Sequence, residues 1–183
     1  MKQKESITKA KYRNILPELG KALGEENANA LPKITKVTVN VGTGKFLKEQ
    51  SKVDEIVGIL ARITGQKPVM TKARRAIAGF KIREGLEVGV KVTLRGRRMW
   101  QFLDRLLNAT LPRVRDFQGI PRTAVGRDGN CSIGIREQLI FPEVVPEKVG
   151  TTFGLQVVVT TDAGEEARGR ELFRLLGFPI RQS

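Results

Sequence analysis

Cations interleaved with short hydrogen-bonding groups are the residues in this sequence dense enough to do chemistry together. They recur at every second position as Lys36, Thr38 and Asn40, and again as Lys91, Thr93 and Arg95. Groups of this kind suit phosphates, 2′-hydroxyls and base edges. A second concentration is the stretch from Lys72 to Gly85, where Arg74, Arg75, Lys81 and Arg83 are suited to phosphate clamping around Gly79 and Phe80. A third, Arg95, Arg97 and Arg98, sits at the start of a predicted helix, where cations lose dipole stabilisation unless anions reach them.

Catalytic chemistry has far less to draw on. The chain has no histidine, which removes Ser-His-Asp and Cys-His nucleophile systems, His-based zinc sites and imidazole relays together. Asp104, Asp116, Glu137 and Glu143 have no spacing that argues for a paired acid and base, and Asp116 is expected to pair with Arg113 or Arg115. Val41-Gly42-Thr43-Gly44-Lys45 follows a predicted strand but lacks the spacing of a phosphate loop, so it reads as a turn or an RNA backbone contact. Cys131 reads as a small buried hydrophobe and Trp100 as an edge packing residue. No cofactor, metal or small-molecule substrate is expected.

The totals point the same way. Lys and Arg number 33 against 19 Asp and Glu, and the resulting charge of +14 implies a polyanionic partner. An anionic membrane is the weaker candidate, because no stretch approaches the roughly 20 apolar residues of a spanning helix. The N-terminal basic residues have no apolar run behind them and the single cysteine cannot form an internal disulfide, which together fit a reducing cytoplasm.

These residues need elements to hold them. With 183 residues and 40% hydrophobic content, one core can close, so a single domain over 1–183 is expected, with a basic, loosely attached N-terminus over 1–11. Periodicity predicts helices over 8–23, 51–64, 97–110 and 165–176, with Pro17 as a kink or break in the first and Gly24, Gly65 and Gly177 as caps. Strands are predicted over 34–42, 68–72, 86–95, 131–140 and 153–160. The sum is an α+β fold, with helices packed on one face of a single mixed or antiparallel sheet.

Parity then assigns the faces. Val37, Val39 and Val41 share one side of the first strand, and Val88, Val90, Val92 and Leu94 one side of the third, because successive side chains alternate. Helices would cover that side and leave Lys36, Thr38, Asn40, Lys91, Thr93 and Arg95 open. No aromatic residue occupies these open positions, so the face is not expected to stack bases. A solvated sheet face is the ordinary alternative for one such strand; two strands and the net charge favour nucleic acid. The long basic connection over 72–85 carries Ile77, Phe80 and Ile82, and part of it is expected to pack on something.

Several segments resemble, in order and along nearly the whole chain, the bacterial type of large-subunit ribosomal protein five, the 5S rRNA-binding family. They include Val39-Asn40-Val41-Gly42, Thr64-Gly65-Gln66-Lys67-Pro68, Ala78-Gly79-Phe80-Lys81-Ile82-Arg83-Glu84-Gly85, Leu111-Pro112-Arg113-Val114-Arg115-Asp116-Phe117 and Phe141-Pro142-Glu143. The resemblance implies a hydrogen-bonding network at 5S rRNA from Asn40, Gln66 and Thr93. It further implies contact with 23S rRNA in the central protuberance, with P-site tRNA through the loop from Lys72 to Glu84, and with neighbouring ribosomal proteins, including a small-subunit head protein at the intersubunit bridge. The stretches Met1 to Lys11 and Glu25 to Ala30 depart from the family pattern. A general RNA chaperone without 5S specificity is the alternative, and a nucleic-acid-processing enzyme the third reading.

Overall fold

The computed structural model describes residues 6–47 and 49–181. Residues 1–5 of the basic N-terminus lie outside the described residues, and Ile7 already opens the first helix. The elements in chain order are α1 (Ile7–Leu23), β1 (Ile34–Gly42), α2 (Gln50–Thr64), β2 (Val69–Lys72), β3 (Glu87–Leu94), α3 (Gly96–Arg105), β4 (Cys131–Ile135), β5 (Leu155–Thr161) and α4 (Glu166–Leu176), with short 3-10 turns between them. The fold is α+β. Its five strands form one open antiparallel sheet in the order β2-β3-β1-β5-β4. The described residues group into two compact units, one holding residues up to 37, 94–133 and 158 onward, the other 38–93 and 134–157.

The first unit packs α1 against α3 and α4. The Ser6 hydroxyl caps α1 by accepting from the Lys9 N–H, and the Asp104 carboxylate takes the backbone N–H groups of Ile7 and Thr8 at 3.1 and 2.7 Å. Donors that an isolated helix start would leave to water are thereby satisfied from a second helix. The helix runs through Pro17 without a break and ends at Gly24, whose φ of 65° is the left-handed geometry a glycine takes without a Cβ clash. Met99, Phe102 and Leu103 form the buried stripe of α3. The single helix expected over 97–110 widens into a π turn over Leu106–Thr110 and tightens over Leu111–Arg113. Pro112 has no N–H to offer the carbonyl four residues back, so the α ladder cannot continue past it.

In the second unit one side of the strands is apolar. Val39, Val41, Val90 and Val92 are buried, as are Val53, Ile56, Ile59, Leu60 and Ile63 of α2. The strand expected over 131–140 stops at Ile135, and Gln138–Ile140 is a 3-10 turn. Gln138 is the reason: fully buried, its side chain accepts from the Phe153 N–H and donates to the Thr151 carbonyl, each at 2.8 Å, while its own N–H donates to the Phe153 carbonyl. The side chain spends its bonds where a further ladder step would otherwise stand.

Candidate nucleic-acid interface

The second unit carries most of the residues that parity left open. Along β1 the burial alternates, with Val39 and Val41 buried, Thr38 half-buried and Asn40 exposed; along β3, Val90 and Val92 are buried, Lys91 is exposed and Thr93 half-buried. The strands are neighbours in the sheet, and the Thr43 N–H reaches the Val88 carbonyl at 3.0 Å just beyond the end of β1. Thr38, Asn40, Lys91 and Thr93 therefore share one open face. Of the remaining open positions, Lys36 is half-buried and Arg95 exposed; both belong to the first unit, Arg95 as the N-cap residue of α3.

Gln66 reaches this face from the end of α2. Gly65, at φ 66°, turns the chain out of the helix. The buried Thr64 hydroxyl donates to the Leu60 carbonyl at 2.6 Å, which fastens the turn. Half-buried Gln66 then donates from Nε2 to the Thr93 carbonyl at 3.2 Å. Its Oε1 and the Thr93 hydroxyl have no partner among the described residues, so a helix end and a strand together offer one acceptor and one hydroxyl to an incoming polar edge.

Beyond β2 and β3 the basic connection is built, rather than loose. The strands pair antiparallel, with Val69 opposite Lys91, Met70 opposite Val90, Thr71 opposite Gly89 and Lys72 opposite Glu87, and the register is irregular between Thr71 and Lys72. The Ala73 N–H continues the pairing to the Leu86 carbonyl at 2.8 Å. Ile77 and Ile82 then close the tip with two N–H···O=C bonds at 2.9 and 3.2 Å. Lys81 sits in the tip at φ 54°. Ile82 is half-buried, whereas Ile77 and Phe80 remain 48% and 73% exposed, so the packing expected of this segment is met within the chain only in part. Lys72, Arg74, Arg75, Gly79, Lys81 and Arg83 are all exposed, and none of the five cations has an ion pair among the described residues.

Two residues of the open face escaped the sequence reading. Val69, 60% exposed, and Thr71 stand opposite Lys91 and Gly89 and so extend the same side onto β2. A four-residue strand is too short for alternation to reveal its parity. Gln156 of β5 is a third exposed position in this unit, between buried Leu155 and Val157. The look-alike phosphate loop is a turn: Gly44–Phe46 form a 3-10 helix, and the Thr43 N–H is already spent on Val88. Asp116 forms no ion pair with Arg113 or Arg115 among the described residues. Trp100 is buried beside Tyr12, with ring centroids 5.7 Å apart, as a packing residue. Cys131 is fully buried.

Two family models cover most of the chain. Residues 27–83 match ribosomal protein L5, and residues 87–180 match the C-terminus of the same ribosomal protein family. Among similar proteins, the large ribosomal subunit protein uL5 of Rubrobacter xylanophilus is 48% identical over 94% of this chain and 97% of its own length. The protein of the same name in Synechocystis sp. is 51% identical over 91% and 93%, and that of Halothermothrix orenii 45% identical over 97% and 99%.

Proposed function

The chain belongs to the ribosomal protein L5 family, and from that premise we propose that the open face of its second unit is a grip for 5S rRNA. At the coarser level it is a structural, non-enzymatic protein of the large ribosomal subunit, an rRNA-binding component of translation in the cytoplasm. The observation that carries the finer reading is the Gln66–Thr93 bond. It holds a side-chain amide against a strand whose open side also bears Lys91, next to the strand that bears Asn40.

The chemistry follows from the inventory. Lys91 supplies charge for phosphates, together with Lys36 and Arg95, assigned to the same RNA by parity. Asn40, Gln66, Thr38 and Thr93 supply donors and acceptors for 2′-hydroxyls and base edges, which is where RNA is told from DNA. The closed tip of the basic connection, with Lys72, Arg74, Arg75, Lys81 and Arg83 around Phe80, is proposed as the P-site tRNA contact. Contacts with 23S rRNA and with a small-subunit head protein complete the reading.

The test is a titration of the full chain with transcribed 5S rRNA and a tRNA control from about 50 to 500 mM salt, where each phosphate contact contributes a log-log slope of roughly 0.7 to 0.9. A margin for 5S rRNA that survives high salt is expected. The N40A/Q66A/T93A variant should lose on the order of a few kcal/mol of that binding, as groups on the RNA are left unpaired, and keep its fold. Unchanged affinity in the variant would remove the site. Equal binding of both RNAs, collapsing together with salt, would make the protein a general RNA chaperone instead.

A further inference from the structure

We infer that the first unit carries a second RNA-binding surface, formed by Arg113, Arg115, Arg122 and Arg127, that takes the phosphate backbone of a duplex. No residue of it is shared with the open face of the second unit.

The first observation is how charge is paired within this unit. The arginines of α4 and of the C-terminal segment are all engaged: Arg168 with Glu25 and the Ala30 carbonyl, Arg170 with Glu166, Arg174 with Glu171, and Arg181 with the Gln118 backbone and side chain. Arg13 of α1 is engaged as well. Arg113, Arg115, Arg122 and Arg127 are all exposed, and their side chains have no hydrogen bond or ion pair among the described residues. Asp116 and Asp128 lie in the same segment, yet neither neutralises them.

The second observation is how firmly the segment is held. Ile120 and Val125 are buried, and the Ile120 N–H donates to the Pro179 carbonyl at 2.7 Å. The Arg181 N–H returns to the Ile120 carbonyl at 2.9 Å, and the Gly126 N–H donates to the Asn130 carbonyl at 2.9 Å. Arg122 and Arg127 stand on this pinned stretch and Arg113 ends the 3-10 turn begun by buried Leu111, and guanidinium groups on a held backbone cost less to order on binding than those on a free loop.

Chemistry selects the partner. Every cation from Arg95 to Arg136 is an arginine, the side chain whose planar fork meets phosphate oxygens in pairs. No large hydrophobic side chain between 95 and 136 is exposed, so the surface lacks the aromatic and aliphatic anchors of a protein interface and the platforms that stack single-stranded bases. Charge without stacking groups positions a backbone and does not read sequence.

The experiment uses the full chain and an RNA hairpin with a blunt stem of about 16 base pairs and arbitrary sequence, titrated at several salt concentrations. The stem length is roughly the span a duplex-binding domain covers. R113Q/R115Q/R122Q/R127Q should reduce the log-log salt slope for the hairpin by about 3, at close to one contact per arginine. The charge-matched control K11Q/K21Q/K45Q/K67Q should leave the slope nearly unchanged, and circular dichroism should show both variants folded. An unchanged slope in the arginine variant, or an equal fall in the lysine control, overturns the surface. Polyglutamate bound as tightly as the hairpin overturns RNA as its partner. N40A/Q66A/T93A should lose 5S rRNA specificity and keep hairpin binding. If that variant keeps its 5S rRNA specificity while the arginine variant loses its slope, the sheet-face reading falls and this one stands.

Discussion

Gln138 and Gln66 carry the same amide to opposite ends. Gln138 has no exposure and spends its side chain on two backbone groups, whereas Gln66 spends one proton on the Thr93 carbonyl and keeps its oxygen for a partner. Replacing Gln138 by Leu would strand the Phe153 N–H and the Thr151 carbonyl in a dry site, at about 1–3 kcal/mol for each group left unpaired. A urea unfolding series should show the unfolding free energy fall by at least the lower figure; no fall would mean that water reaches the site. Cys131 yields a second expectation. Burial pushes its thiol up to about 12, so it stays protonated and unreactive at neutral pH. A thiol reagent at about pH 8 should label it only when denaturant is added. The unfolded thiol ionises near 9.0, so between that pH and about 12 the unfolded chain gives up a proton that the folded chain keeps, and stability falls as pH rises. Asn40 and Lys91 could be placed on an open face from alternation alone, since each sits between buried valines. Gln66 could not, because its position depends on a left-handed Gly65 and a Thr64 hydroxyl that no periodicity encodes.

Glycines separate the elements that pack from those that merely run. Gly169 lies inside α4 against the turn at Gly129, where an added Cβ would come within 2.5 Å of the Gly129 Cα. Gly58 is exposed in α2, and an added Cβ would meet nothing within 4 Å. G169A should therefore destabilise by about 1–3 kcal/mol through overpacking, while G58A should stabilise by about 0.5–1 kcal/mol through helix propensity. Opposite shifts of the denaturation midpoint would confirm the pair, and two shifts of one sign would refute it. Element positions were largely readable because the stop signals are local: Gly24, Gly65 and Gly177 each end a helix in the left-handed region. The fourth strand was drawn too long because Gln138-Leu139-Ile140 looks like continued alternation, and only the buried Gln138 amide, bonded to residues 13 and 15 positions away, reveals the turn. The π turn after Arg105 was hidden for a related reason, since Leu106 and Leu107 fit an α stripe and Pro112 acts from beyond it.

At the scale of the whole molecule, each of the two units is assembled from segments that are separate in the sequence. The boundary between them runs through β1 after Val37, through β3 after Thr93, through β4 after Ile133 and through β5 after Val157. A strand cannot lose its pairing over half its length without exposing unpaired N–H and C=O groups in the rest, and each group stranded away from water is costly. The single-domain reading of the sequence therefore predicts one cooperative transition, as most single domains of modest size show. Trp100 lies in the first unit, so its fluorescence follows that unit, while far-ultraviolet circular dichroism follows the strands and helices of both. Superimposable urea curves from the two probes are expected, with one midpoint and one slope. A fluorescence transition separated from the dichroism transition would show instead that each unit folds on its own, and the chain would then be two domains that share strands.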